Sequence, residues 1–113
     1  MARQHPGETQ GSFVCEGVIK KLIDEHTSKE STYLLKNFHI YIIPMVNPDG
    51  VVHGHYRTNL CGKDLNRKWE DPETVSSATP EITIISKFIN DLTTKNKLNV
   101  RFILDLHGHS KKY

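Results

Sequence analysis

The first residues whose types and spacing could do chemistry are His5 and Glu8, in the segment "HPGE". An imidazole nitrogen and a carboxylate oxygen are both common ligands of Zn²⁺. Pro6 and Gly7 between them disfavour an ordinary helix, so the segment should hold both groups on an irregular turn. A metal site needs at least one further ligand from elsewhere in the chain.

Histidines also occur in two His-Gly-His segments, at residues 53–55 and 107–109. In extended chain both imidazoles of such a segment face the same way, so either pair could chelate a metal. We favour His107, which ends an apolar segment, and we expect the first pair to be solvated in a loop. Together, His5, Glu8 and His107 form a His₂Glu set, which leaves a fourth coordination position for water, as in catalytic zinc sites. The HExxH motif is absent, and no nucleophile has a comparable set of partners.

A polar loop at residues 47–78 contains Arg57, Asn66 and Arg67. Taken singly, each of these residues is more typical of a turn or a surface ion pair. Taken together, two arginines and an asparagine close to segments that contain candidate metal ligands indicate an anion-binding site beside a cation. We call these three residues, Arg57, Asn66 and Arg67, the clamp. The loop is also long for a compact domain, which favours a functional role.

Alternating apolar patterns predict the elements that position these groups. Strands separated by helices are typical of an α/β fold with a mixed, largely parallel sheet flanked by helices. Ligands gather at the carboxyl ends of such strands, where His107 and the loop after Val46 fall. The predicted strands are residues 38–46 and 99–107, and the predicted helices are residues 10–25, residues 28–36 and a helix that begins at Pro80 after the N-cap Thr79.

The predicted core combines both strands with one apolar stripe on each long helix. The motif "NPDG" at 47–50 is expected to be a tight turn that closes the first strand. Ser12 would cap the first helix if that helix begins late. The stripes consist of Phe13, Val14, Gly17, Val18 and Leu22, with Ile23 at the edge, on the first helix and Ile82, Ile85, Phe88, Ile89 and Leu92 on the last.

Composition limits the classes of protein that fit. The chain has 113 residues, 36% of them hydrophobic and 25% charged, which predicts one soluble globular domain. A net charge of +2 is too small to indicate nucleic-acid binding, and the apolar segment "IYIIPMV" is too short to span a membrane. Cys15 and Cys61 stand 46 positions apart without a CxxC motif, which is typical of reduced thiols in the cytoplasm.

Four segments carry a resemblance to a known family: "HPGET", "NPDGVVHGHYR", "GKDLNRKW" and "LDLHGHSKK". In this order, over residues 5 to 112, they resemble the zinc metallocarboxypeptidases of carboxypeptidase A type, and most closely the cytosolic carboxypeptidases. The resemblance implies a cytoplasmic zinc hydrolase that removes C-terminal residues, and glutamate from polyglutamylated tubulin or similar acidic tails. Carboxypeptidase A is itself an established His₂Glu zinc enzyme, so the ligand geometry comes with the resemblance.

The resemblance also implies roles for single residues. His5, Glu8 and His107 would hold one Zn²⁺, and Asp64 would accept a hydrogen bond from the first of them.

The remaining roles implied by the resemblance concern the substrate. Arg57 would steady the oxyanion, and Asn66 and Arg67 would bind the terminal carboxylate of the substrate. His109 matches the second histidine of the family's HGHS motif and is not assigned to the metal.

Two departures from the family pattern shape the expected domain. In the family a strand leads into HPGE, and the domain continues past HGHS with a glutamate general base and a substrate-binding tyrosine. Residues 1–113 are therefore expected to be the metal- and carboxylate-binding half of a longer catalytic domain, lacking that base. The alternatives are a module that binds zinc or acidic tails without cleaving them, and an unfolded fragment.

Overall fold

The computed structural model describes residues 1–70 and 77–108. Within these ranges the chain is helical, and the predicted helices at 10–25, at 28–36 and from Pro80 are confirmed. A short 3₁₀ turn interrupts the loop that was predicted to be irregular. The elements are α1 (Gln10–Asp24), α2 (Lys29–Asn37), α3 (Pro48–Val52), the 3₁₀ turn (Leu65–Arg67) and α4 (Pro80–Thr94).

The segment "NPDG" begins helix α3, where the sequence predicted a tight turn. The side chain of Asn47 accepts a hydrogen bond from the backbone N–H of Gly50 at 3.0 Å and so caps the helix. Pro48 fits the first helical position because the backbone N–H it lacks would have no partner inside the helix. The other two predicted caps make no such bond, since Thr79 precedes α4 without one and Ser12 lies inside α1.

The described residues form no strand, so the predicted largely parallel sheet is wrong. In the described residues, the segments 38–46 and 99–107 do not pair with each other, and each forms backbone hydrogen bonds with residues 1–3. Ala2 donates to the carbonyl of Ile43 at 3.0 Å, and Leu106 donates to the carbonyl of Met1 at 2.8 Å. Ala2 and Leu106 form one isolated parallel bridge. Three residues give each segment too few partners for a continuous ladder of backbone hydrogen bonds.

The buried core is smaller than the apolar pattern predicted. Val46, Leu65, Ile82 and Ile85 form one cluster, with Trp69 packed against it. The stripe of α4 is therefore buried as predicted over most of its length, although Phe88 is 38% exposed and Ile89 is only partly buried.

The predicted burial of α1 and of both strand segments is wrong. Phe13 on α1 is 71% exposed, Tyr41 in the first segment is 51% exposed and Leu104 in the second is 61% exposed. An apolar stripe is buried only where another element covers it, and α1 packs against α2 through a small contact. The residues of α1 that are buried are Gly11 and Cys15. No helix of the described ranges is long and apolar enough to cross a membrane.

Asn47→Ala should destabilise the fold by about 1–3 kcal/mol, because it removes a helix cap and a buried hydrogen bond. The Asn47 side chain is fully buried, and its Nδ2 donates to the carbonyl of Gln4 at 3.3 Å. Urea unfolding followed by circular dichroism measures the effect. The control is Asn37→Ala, which removes one exposed hydrogen bond to Tyr33 and should cost under about 0.5 kcal/mol. Equal losses would contradict a special role for Asn47.

Candidate metal centre

The turn "HPGE" points His5 and Glu8 at each other. His5 is 1% exposed, and its Nδ1 lies 3.0 Å from Oε1 of Glu8. The backbone N–H of Gly7 donates to the carbonyl of Tyr56 at 2.8 Å. A Cβ on Gly7 would lie 2.5 Å from the Tyr56 ring, so only glycine allows this close approach.

His107 reaches the same place from the other end of the chain. Its ring meets that of His5 edge to face with the centroids 4.4 Å apart, and its Nε2 lies 3.6 Å from Oε2 of Glu8. The backbone N–H of Gly108 also donates to Oε2 of Glu8 at 2.6 Å. One ligand atom from each of the three predicted metal ligands therefore lies within 4.8 Å of the other two.

This arrangement fits a zinc ion. Tetrahedral zinc with bonds of about 2.1 Å holds its ligand atoms about 3.4 Å apart. Oε1 of Glu8 lies 3.0 Å from Nδ1 of His5, and Oε2 of Glu8 lies 3.6 Å from Nε2 of His107. Small adjustments would therefore bring the three side chains around a common centre. Nε2 of His5 is occupied by Asp64, which leaves Nδ1 as the nitrogen available to a metal.

Asp64 links the metal ligands to the polar loop. Its Oδ1 lies 2.9 Å from Nε2 of His5, and its Oδ2 accepts a hydrogen bond from Nε of Arg57 at 2.8 Å. It also caps the 3₁₀ turn by accepting from the backbone N–H of Asn66. Burial acts to raise the pKa of Asp64, but the hydrogen bonds from His5 and Arg57 prevail and lower it. Asp64 is thus ionised near neutral pH and able to fix the orientation of His5.

Glu8 is held as a carboxylate by a similar balance. Burial acts to raise its pKa, while the hydrogen bond from the backbone N–H of Gly108 and the nearby imidazoles of His5 and His107 together lower it. An ionised carboxylate is the form that binds a metal.

The residues predicted to form the clamp lie on and near the 3₁₀ turn. Arg57 is 44% exposed and reaches Asp64, while Asn66 lies two residues after Asp64 in the turn. Arg67 is exposed, and its guanidinium donates to the carbonyl of Asn66 at 3.3 Å. Within the described residues, the structure thus connects Arg57 and Asn66 to the metal ligands through Asp64 and records no such connection for Arg67.

The histidine pair at residues 53 and 55 lies outside the group formed by His5, Glu8 and His107. His53 is exposed, as the sequence predicted, whereas His55 is half-buried with its Nδ1 3.2 Å from the carbonyl oxygens of Thr58 and Asn59. His109 lies outside the described residues.

The sequence reasoning missed a second polar chain beside the ligands. Gln4 is 2% exposed, accepts a hydrogen bond from Nε1 of Trp69 at 2.7 Å and donates to Oδ2 of Asp105 at 2.6 Å. That carboxylate oxygen lies 3.3 Å from Nδ1 of His107. The spacing of Asp105 from His107 could have indicated the contact, because residues two apart in extended chain share a face. Nothing in the sequence pointed to Gln4.

Comparison with known proteins places these features in context. A family model described as zinc carboxypeptidase matches residues 1–112. Cytosolic carboxypeptidase 6 of Mus musculus is 41% identical over 108 residues, which are 96% of this chain and 19% of that protein. Cytosolic carboxypeptidase 1 of Gallus gallus is 39% identical over 98% of this chain and 9% of its own length. The chain thus spans less than a quarter of either relative.

Among solved structures, too, the chain is similar to carboxypeptidases. A putative carboxypeptidase A from Shewanella denitrificans OS-217 superposes with a TM-score of 0.72 at 41% identity, over 80% of this chain and 23% of that one. A metallo-carboxypeptidase from Burkholderia cenocepacia also gives 0.72, at 36% identity, over 80% and 24% of the two chains.

Proposed function

The chain belongs to the zinc carboxypeptidase family, and from that premise we propose that residues 1–113 form the metal- and carboxylate-binding part of a zinc metallocarboxypeptidase. The observation that carries the proposal is the convergence of His5, Glu8 and His107, whose ligand atoms lie within 4.8 Å of one another. Zinc is the usual metal of the family, and the three groups are ones that zinc prefers.

His5, Glu8 and His107 would hold the ion. Bound there, Zn²⁺ would polarise the scissile carbonyl and activate a water for hydrolysis. Asp64 would keep the imidazole of His5 in the tautomer that leaves Nδ1 free for the metal, because its carboxylate occupies Nε2.

The polar loop would supply the substrate contacts. Arg57 would stabilise the negative charge that develops on the carbonyl oxygen, and its bond to Asp64 keeps it near the ligands. Asn66 and Arg67 would bind the terminal carboxylate, since a guanidinium pairs with both carboxylate oxygens. An exopeptidase needs this arrangement because the free end of its substrate lies next to the bond that is cleaved.

For the whole protein we propose removal of C-terminal glutamate in the cytoplasm, from acidic tails such as those of polyglutamylated tubulin. The similarity to proteins named cytosolic carboxypeptidases supports the location. The tubulin substrate rests on the resemblance of the four motifs alone. Purified longer protein, assayed for release of glutamate from peptides and from tubulin, tests both parts of this proposal separately.

The second candidate is a module that binds zinc and acidic tails without cleaving them. One observation favours it: in the described residues, every carboxylate in or beside the group His5, Glu8 and His107 already accepts a hydrogen bond. Glu8 accepts from Gly108, Asp64 from Arg57, and Asp105 from Gln4. Peptide binding without turnover by zinc-loaded protein would select this alternative.

Arg67→Lys should weaken binding of a peptide ending in glutamate by about 10-fold, because lysine keeps the charge and loses the planar fork. Zinc content should not change, since no described contact joins Arg67 to the ligands. Calorimetry on the zinc-loaded chain measures affinity, and the same peptide with an amidated C-terminus is the control. Loss of zinc in the variant would show that Arg67 has a structural role instead.

A further inference from the structure

We propose that Arg3 is a positioning residue that fixes the HPGE turn, residues 5–8, and with it the ligands His5 and Glu8; this rests on the proposed zinc site. Nη2 of Arg3 donates to the carbonyl of Pro6 at 2.6 Å, and Nη1 donates to Oγ of Ser12 at 2.9 Å. Pro6 lies between the two ligands, and Ser12 lies in the first turn of α1. One guanidinium therefore joins the turn that carries the ligands to the helix that follows it.

Arg3 occupies this position at a cost in free energy. Its φ is +55°, in the left-handed region that residues other than glycine rarely adopt. Its Nε is buried and makes no hydrogen bond in the described residues. The neighbouring backbone keeps it there, because Ala2 and Arg3 are hydrogen-bonded to residues 43–47. Unfavourable conformations of this kind concentrate at functional sites.

The charge of Arg3 does not favour the helix that it contacts. The amino-terminal end of a helix carries partial positive charge, so a cation there is unfavourable. The first turn of α1 contains no acidic residue, and the side chain of Thr9 makes no capping hydrogen bond. Stabilisation of α1 therefore does not account for an arginine at this position. The carbonyl of Pro6 does account for it, because a charged donor binds a carbonyl more strongly than a neutral donor does.

The other backbone bonds of the HPGE turn are longer. The N–H of Glu8 donates to the carbonyl of His5 at 3.2 Å, and the N–H of Gly7 donates to a carbonyl of the polar loop at 2.8 Å. The bond from Arg3 to Pro6 is shorter than either, at 2.6 Å, and its donor is charged. Loss of this bond should allow the peptide group between the ligands to rotate, which would move their ligand atoms apart.

Cobalt(II) titration of the 113-residue chain distinguishes positioning from a simple charge effect by the sign of the change. Removal of a positive charge beside a cation site should by itself strengthen the binding of a divalent metal. We expect the opposite from Arg3→Gln, a fall in Co²⁺ affinity of about 10-fold, at the low end of the range for residues that support ligands. Arg3→Lys keeps the charge but loses the planar fork, so its affinity should be intermediate.

Two control variants separate the HPGE turn from α1 and from net charge. Ser12→Ala removes only the acceptor on α1 and should leave Co²⁺ affinity nearly unchanged. Arg101→Gln removes an exposed arginine and should leave it unchanged as well. Co²⁺ affinity in Arg3→Gln that equals or exceeds that of the unsubstituted chain would overturn the proposal. A fall in either control as large as that in Arg3→Gln would also overturn it.

Amide hydrogen exchange of the metal-free chain makes the test independent of the zinc site. Arg3→Gln should speed exchange at Gly7 and Glu8 and leave the middle of α1 unchanged, because only the turn loses its restraint. Unchanged exchange at these two amides would overturn the proposal. Faster exchange in a chain that binds no Co²⁺ even without substitution would support the hold of Arg3 on the turn and refute the zinc site.

A measurement on the unsubstituted chain decides the matter if Arg3→Gln does not fold. A guanidinium held at both Nη atoms should give two separate ¹⁵N signals for them, because its rotation is slowed. Averaged Nη signals for Arg3, like those expected for the exposed Arg101, would overturn the proposal.

Discussion

His107→Ala should reduce the zinc affinity of the folded chain by more than about 100-fold, because it removes one of three ligands. Loss of a residue that only supports a ligand typically costs 10- to 100-fold, so loss of the ligand itself should exceed that range. The remaining pair, His5 and Glu8, lies on one turn and would bind zinc far more weakly than the full set. The unsubstituted chain should bind about one zinc ion per molecule.

The control for this measurement is His53→Ala, which also removes a histidine from a His-Gly-His segment. His53 is exposed and lies outside the group of convergent ligands, so its loss should leave affinity unchanged. Competition against a chromophoric zinc chelator gives both constants, with circular dichroism to verify folding. Equal losses in the two variants would exclude the assignment of His107 as a ligand.

Loaded with zinc, residues 1–113 should release no glutamate from glutamate-ended peptides above the rate of the His107→Ala control. Peptide hydrolysis requires a proton carried to the leaving nitrogen, and a positioned acid–base group typically contributes about 10²–10⁴-fold. The described carboxylates that touch the ligands are Glu8, Asp64 and Asp105, and each already accepts a hydrogen bond. The large exposed apolar area on α1 should also make the isolated chain prone to associate.

The assay follows glutamate release by mass spectrometry from purified chain of verified zinc content. Zinc-dependent release well above the control would show that the chain contains a functional base. Glu70 and Asp71 lie near the clamp in sequence and would be the first to replace. The structure shows Glu70 exposed, while Asp71 lies outside the described residues.

The group of candidate metal ligands could be predicted because histidine and glutamate side chains are typical zinc ligands wherever they lie in the sequence. His5, Glu8 and His107 were chosen for ligand chemistry, and the structure brings them together. Gln4 escaped prediction because an amide side chain is not a typical zinc ligand, and its contacts depend on two partners, Trp69 and Asp105, that are distant in sequence.

Helices were predicted more accurately than the sheet for a related reason. A helix such as α4 satisfies its backbone within one segment, so local pattern and a Pro at its start suffice. A strand needs a partner that the local sequence does not identify, and within residues 1–70 and 77–108 the segments 38–46 and 99–107 each bond to residues 1–3 and not to each other. The prediction that the stripe of α1 is buried was wrong for the same reason. The sequence pattern shows which face of a helix is apolar, but it does not show what covers that face.

The bridge between Ala2 and Leu106 has a consequence for the order of events during synthesis. Its two halves are 104 positions apart, and the contacts of His107 with His5 and Glu8 span 102 and 99 positions. At roughly 5–20 residues per second, a ribosome would need about 5–20 s to deliver Leu106 after Ala2. During that interval α1 and α2 can form, whereas the ligand pair on the first turn has no third partner. Assembly of the metal centre therefore has to wait until residues 106–108 have been made, and the nascent chain must keep residues 1–8 available until then.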